Sequence, residues 1–213
     1  MVKNSIVAIR VTLVFALLTG IFFPLIVTSL SQWWFPEQAN GSLAIRDGQV
    51  IGSSLLAQPF TQAQYFHPRP SAAGSGYAGE ASGGTNLGPT SKKLFLGAED
   101  DPATKNVDES FKGVKQLAAL YRQENGLAPD SKVPADAVTR SASGLDPDIS
   151  VANAQLQAPR VAHARNLKEA VVAQIVREHT KGRQFGFFGE PRVNVLALNL
   201  ALDRARSSDV SSH

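Results

Sequence analysis

Val11 to Leu30 reads VTLVFALLTGIFFPLIVTSL, and no charged residue occurs anywhere from Val11 to Pro36. As a helix, those twenty residues rise roughly 30 Å, the thickness of bilayer hydrocarbon. A soluble core helix of that length shows a polar face, and this run has none. Trp33, Trp34 and Phe35 follow it as an aromatic belt of the kind that settles at headgroup level. A cleaved signal sequence has a shorter apolar region, about 7–15 residues, ending in a small-x-small site. Leu30-Ser-Gln-Trp-Trp is a poor match, so the run reads as a retained transmembrane helix. Residues 1–36 are then the tail and anchor, and residues 37–213 a separate domain.

Charge sets the expected orientation. Lys3 and Arg10 precede the run, and no base follows it until Arg46. The positive-inside tendency leaves the N-terminus in the cytoplasm and the domain outside it. Of the 21 bases, 19 lie beyond the anchor against 18 acids, so the pI near 9.3 reflects no basic patch. Nucleic-acid binding needs clustered charge, and there is no such cluster.

Within the anchor, Ala8, Thr12, Ala16 and Gly20, continued by Pro24 and Thr28, place small residues at four-residue spacing. Such a ridge lets a neighbouring helix approach closely, although Gly and Pro are also common in membrane helices generally. The ridge turns about 40° per step, so it serves one contact over three or four steps. Pro24 is expected to kink the helix.

Beyond the anchor, the pattern predicts an α+β, helix-rich domain with a small sheet near the membrane. Leu43 to Ile51 reads as two strands joined at Asp47-Gly48, a tight-turn dipeptide. Residues 68–90 are rich in Pro, Gly, Ser and Ala and read as a long loop; residues 97–106 form a charged excursion. Helices are expected over Val107–Asn125, stopped by Gly126, and over Val151–Gln157, with Pro147-Asp-Ile-Ser150 offering the cap. A break or restart is expected at Pro159. Asn166 and Glu169 are spaced as a capping box, with Leu167, Val171, Val172, Ile175 and Val176 as an apolar face. The segment Gly182 to Gly189 is aromatic and irregular, and Asn194 caps a last helix, Val195–Arg206.

Catalytic patterns are weak. Gly74-Ser-Gly76-Tyr-Ala-Gly79 matches G-x-G-x-x-G, but no strand feeds it and no helix opens after it, as a dinucleotide site requires. No phosphate-loop motif or serine nucleophile elbow is present. There is no cysteine, and His67, His163, His179 and His213 lack metal-ligand spacing. Asp146 and Asp148 flank Pro147, where capping suits them better than paired-carboxylate chemistry.

Several segments together resemble the KdpC family, the C subunits of bacterial potassium-transporting P-type ATPases. They include Gln32-Trp-Trp-Phe-Pro36, Tyr65-Phe-His-Pro-Arg-Pro-Ser-Ala72 and Ala81-Ser-Gly-Gly-Thr-Asn-Leu-Gly-Pro89. Further along come Thr139-Arg-Ser-Ala-Ser-Gly-Leu-Asp-Pro147, Arg160-Val-Ala-His-Ala-Arg-Asn166 and Val193-Asn-Val-Leu-Ala-Leu-Asn-Leu-Ala-Leu-Asp203. The resemblance spans nearly the whole chain in family order. It implies a non-catalytic accessory subunit of a potassium uptake pump in the bacterial cytoplasmic membrane. Its implied partners are a channel-like subunit, a P-type ATPase subunit and a small stabilising subunit. ATP, Mg2+ and K+ are used by that complex, and the chain itself is expected to bind no cofactor. An effect on ATP affinity, credited to the family, would act indirectly through the membrane helix.

On this reading, Ala8, Thr12, Ala16 and Gly20 pack on a partner helix, and Tyr65, Phe66, Arg69, Tyr77 and Asn86 form a subunit contact. Core packing is the alternative role for Tyr65 and Phe66. Two other functions compete: a single-pass extracytoplasmic sensor or adaptor of another complex, and an anchored hydrolase.

Overall fold

The computed structural model describes residues 2–98 and 111–210, with side chains as far as residue 205. The chain divides into two compact units, Met1–Ser53 and Ser54–His213.

In the first unit the apolar run forms α1 (Val2–Leu17), a π-helical stretch (Leu18–Phe22) and α2 (Phe23–Trp34). Together they make a continuous 33-residue helix, long and apolar enough to cross a membrane. None of its residues is buried. The widened turn lies immediately before Pro24. Proline has no N–H to give the carbonyl four residues back, and here the Phe23 N–H reaches Leu18 O instead. The widened turn is thus the local answer to Pro24. A short α3 (Pro36–Ala39) leads to β1 (Leu43–Arg46) and β2 (Gln49–Ser53), an antiparallel pair with Arg46 opposite Gln49. Asp47 and Gly48 both have positive φ, 51° and 77°, as the tight turn between twisted strands demands.

The second unit mixes helix and sheet. Short helices α4 (Lys92–Leu96) and α6 (Ala135–Val138) flank α5 (Val114–Glu124), and α7 (Val151–Arg165), α8 (Glu169–Glu178) and α9 (Val195–Val210) carry the main core. A second sheet, not foreseen in the sequence, has the order β3-β5-β4, from Asp148–Ser150, Arg192–Asn194 and Thr180–Lys181. Its strands are two or three residues long, too short for alternation to be visible. Ile149 and Val193, paired across β3 and β5, join Val161, Val172, Leu198 and Leu202 in one core cluster that includes the fully buried Phe66. A smaller cluster joins Tyr121, Ala137 and Val138.

Several local expectations are corrected. The helix expected from Val107 begins at Val114: Phe111 lies outside it under the Arg140 guanidinium, 4.2 Å from its ring centre, and residues 107–110 lie outside the described residues. Pro159 does not break α7. It and Gln155, whose carbonyl loses its helical donor, are both exposed, so water replaces the missing bond. Asn166 is no capping box. It sits at φ 57° as the left-handed end of α7, with Leu167 N–H closing back on Ala162 O; Lys168 is the N-cap of α8. Val171 is exposed, leaving Val172 and Val176 as the buried face. Ser150 and Asn194 cap α7 and α9 through Asn153 N–H and Ala197 N–H. The last helix runs to Val210, past Arg206.

Candidate functional site

Between Phe60 and Ser71 the chain is threaded through the second unit without a strand partner. In extended backbone the N–H and C=O of one residue point to the same side, and those of the next to the opposite side. Here two side-chain amides take these pairs. Phe66 N–H donates to Asn199 Oδ1 at 2.8 Å, and Asn199 Nδ2 donates to Phe66 O at 3.0 Å. On the other side, His67 N–H donates to Gln157 Oε1 at 2.7 Å, and Gln157 Nε2 donates to His67 O at 3.1 Å. Asparagine and glutamine suit this work because each offers one donor and one acceptor side by side. Arg160 donates to the Ala63 and Tyr65 carbonyls at 2.6 and 3.0 Å, and Arg165 to Gln64 O at 2.6 Å. α7 and α9 therefore supply the hydrogen bonds that a neighbouring strand would make.

That wiring places the proposed contact residues. Phe66 is fully buried, which assigns it to core packing and removes it from any surface. Tyr65 is half-buried, stacked against the Arg165 guanidinium at 4.9 Å and beside Asp203. Arg69 donates to Asp146 at 2.8 Å, and its carbonyl accepts from the Tyr77 hydroxyl at 2.8 Å. Burial pushes the Tyr77 phenol up to about 12 against the pull of Arg140, so it stays a neutral donor. Asn86 is exposed at φ 53°.

The Gly-rich loop is tied down: Ser71 Oγ donates to Gly144 O at 2.7 Å and Gly83 N–H to Ser143 O at 2.9 Å. Gly144 has φ 70°, and a Cβ there would stand 2.6 Å from Gly83 O, so only glycine permits this approach. Gly74 to Gly79 lies in this loop among turns, with neither strand before it nor helix after it.

A cleft of about 660 Å³ opens between the threaded segment and α5, with Phe60, His67, Pro68, Leu120, Tyr121 and Glu124 on its walls. His67 Nδ1 lies 3.3 Å from Glu124 Oε1. That hydrogen bond chiefly holds the Glu124 carboxyl below its ordinary 4.5, with burial opposing. Burial, then Asp136, pushes the Tyr121 phenol upward, and its hydroxyl donates to Asn153 Oδ1 at 2.9 Å. No group of three metal-ligating side chains occurs among the described residues. A carboxyl with a depressed folded value stabilises above its ordinary range and loses that contribution as pH falls through the folded value. Glu124→Gln is therefore expected to lower the melting temperature at neutral pH and to converge on wild type as pH falls below the ordinary carboxyl range through the lowered folded value. A gap unchanged from pH 7 to 3 in thermal melts would contradict this assignment.

In the apolar helix, Ala8, Thr12, Ala16 and Gly20 are all exposed. The π-helical turn advances fewer degrees per residue than an α-turn, so it offsets the drift of the four-residue ridge near Gly20. Nothing lies within 4 Å of where a Gly20 Cβ would sit.

The family model for KdpC, the K+-transporting ATPase c chain, matches residues 5–204. The chain belongs to the KdpC family. It is 52% identical over 202 residues to the "Potassium-transporting ATPase KdpC subunit" of Mycobacterium tuberculosis (strain ATCC 25618 / H37Rv), covering 95% of this chain and 98% of the relative. The protein of the same description from Acidobacterium capsulatum is 50% identical over 197 residues, covering 92% and 96%. That from Gemmatimonas aurantiaca is 47% identical over 205 residues, covering 96% and 94%. As a KdpC chain it is an accessory subunit of a potassium uptake pump, which sets aside the sensor or adaptor reading.

The matched span takes in Asn199, Gln157, Arg160 and Arg165, which sequence reasoning did not single out. One signal was available: Asn199 stands one turn from Val195 and beside Leu198, an amide on an otherwise apolar stripe.

Proposed function

We propose that this chain is the non-catalytic, single-pass subunit of the pump, holding a channel-like subunit and an ATPase subunit together in the bacterial cytoplasmic membrane. Its N-terminus faces the cytoplasm, and residues 37–213 lie outside it. The observation that carries the reading is the 33-residue helix of a KdpC chain in which no residue is buried and which carries no charge from Val11 onward. In water such a surface is unfavourable; in lipid it is solvated. ATP, Mg2+ and K+ are handled by the other subunits. The ridge of Ala8, Thr12, Ala16 and Gly20 packs on a partner helix. The loop face around Arg69, Tyr77 and Asn86 meets the channel-like subunit, because loops held on a rigid frame make good contact surfaces.

The test is a pull-down from mild detergent with partners identified by mass, followed by K+-stimulated ATPase assays with and without this chain. Gly20→Leu fits the isolated helix, so any effect comes from a partner; co-purification should fall about tenfold, the equivalent of 1–2 kcal/mol between helices. Asn86→Gly keeps the left-handed backbone and removes only the side chain, and should weaken capture without moving the melting temperature. Unchanged yields from both would remove the two contacts. An alkaline phosphatase fusion after Ser207 that is inactive in cells would reverse the topology.

A further inference from the structure

Three phenylalanines project from the hairpin between β4 and β5. Phe185, Phe187 and Phe188 are 79%, 66% and 58% exposed. The tip is built, not slack. Gln184 and Phe188 exchange backbone hydrogen bonds of 2.9 Å, and the rings of Phe187 and Phe188 pack at 4.3 Å. Arg183 closes the base on both Glu190 oxygens at 2.9 and 2.7 Å. Phe185 is held at φ 54°, where bulky residues are strained. A fold that fixes three rings in water, one of them strained, presents an apolar surface that something covers.

We propose that this tip inserts into the interfacial layer of the bilayer that holds the chain's own apolar helix, an inference that rests on that helix spanning the membrane. Three observations favour lipid over a protein surface. First, Phe185-Gly-Phe-Phe-Gly189 itself offers no polar side chain, so its tip can recognise only apolar depth. Second, the flank carries a small positive excess: Lys181, Arg183 and Arg192 against Glu190 and the Asp148 that pairs with Arg192. Arg183 and Arg192 pair with Glu190 and Asp148 at side-chain exposures of 46% and 44%, and Lys181 is exposed. Basic arms above apolar rings suit phosphate headgroups above acyl chains. Third, the unit bearing the tip is covalently joined to the apolar helix, so a bilayer is present at high effective concentration.

The absence of cysteine makes the test direct. Single variants Phe187→Cys, Trp33→Cys and Asp130→Cys of the full chain are labelled with an environment-sensitive fluorophore. They are reconstituted in vesicles of phosphatidylethanolamine and phosphatidylglycerol containing a nitroxide lipid. Phe187 and Asp130 are exposed, so neither replacement breaches the core. Position 187 should show a blue-shifted emission and at least about half the quenching of position 33, with position 130 near zero. Quenching at 187 should drop when phosphatidylglycerol is omitted, while that at 33 stays. A tip as unquenched as position 130 would overturn the proposal. So would shielding that appears only when other subunits are present, which would assign the tip to a protein partner. Absence of quenching at 33 would show instead that the anchor reading had failed, and the insertion with it.

Discussion

Replacing Asn199 by leucine should destabilise the second unit by about 4 kcal/mol, because two buried backbone groups lose their partners at about 1–3 kcal/mol each. Asn199 is 1% exposed, so water cannot replace the amide. Leucine keeps the branched outline of the amide without its donor and acceptor, but it is bulkier, so crowding adds to the loss of hydrogen bonding. Phe66 carries both orphaned groups, its N–H and its C=O, and the residue is fully buried in the main core cluster. If the clamp fails, the threaded segment must leave its place between α7 and α9, and the ring leaves with it. Asn199→Asp is expected to be at least as damaging, since a carboxylate keeps the acceptor, loses the donor and adds a buried charge. The measurement is urea unfolding of the full chain in detergent, followed by near-ultraviolet circular dichroism. A leucine variant within about 1 kcal/mol of wild type would mean that the amide is not what holds Phe66 in place.

This clamp also marks where sequence reading stops. Val11 to Leu30, Asp47-Gly48, Ser150 and Asn194 were legible because each acts on its own neighbours, through run length, turn chemistry or a cap. Asn199 and Phe66 are 133 positions apart, and Gln157 and His67 are 90 apart. No periodicity records a pairing at that range, so a Tyr-Phe pair ahead of a Pro-rich loop reads equally as surface or core. Pro159 misled for a different reason: the missing N–H matters only where water cannot reach the freed carbonyl, and exposure is settled by tertiary packing. Asn166 carries the same residue type for two opposite jobs, N-cap and left-handed C-cap, and only the path into α8 decides between them. The hydrophobic pattern of residues 182–189 was seen as aromatic and irregular, yet its presentation depends on a turn bridged by Gln184 and Phe188, a contact within a hairpin too short to announce itself.

The second large effect lies one turn further along α9. Arg165 donates to Asp203 Oδ1 at 2.8 Å, with side-chain exposures of 2% and 17%, and to Gln64 O at 2.6 Å. Removing one member of such a pair leaves a desolvated charge, at about 3–5 kcal/mol. Asp203→Leu should therefore lower stability by that amount, with the guanidinium left against one carbonyl and the face of Tyr65. The double variant Arg165→Met/Asp203→Leu leaves no charge buried. It forfeits the bond to Gln64 O, worth about 1.5–3 kcal/mol, and gains apolar packing in return. It should therefore be more stable than Asp203→Leu alone, although it carries one more substitution. That inversion separates the two accounts of the pair. If the salt bridge only adds favourable energy, the losses accumulate and the double variant is the weaker protein. If its role is to neutralise a guanidinium that is buried, removing both charges recovers most of what leaving one unpaired destroys. Urea midpoints of the wild type, the two single variants and the double variant complete the cycle, and a coupling energy near zero would mean that Arg165 is held by Gln64 and Tyr65 without help from Asp203.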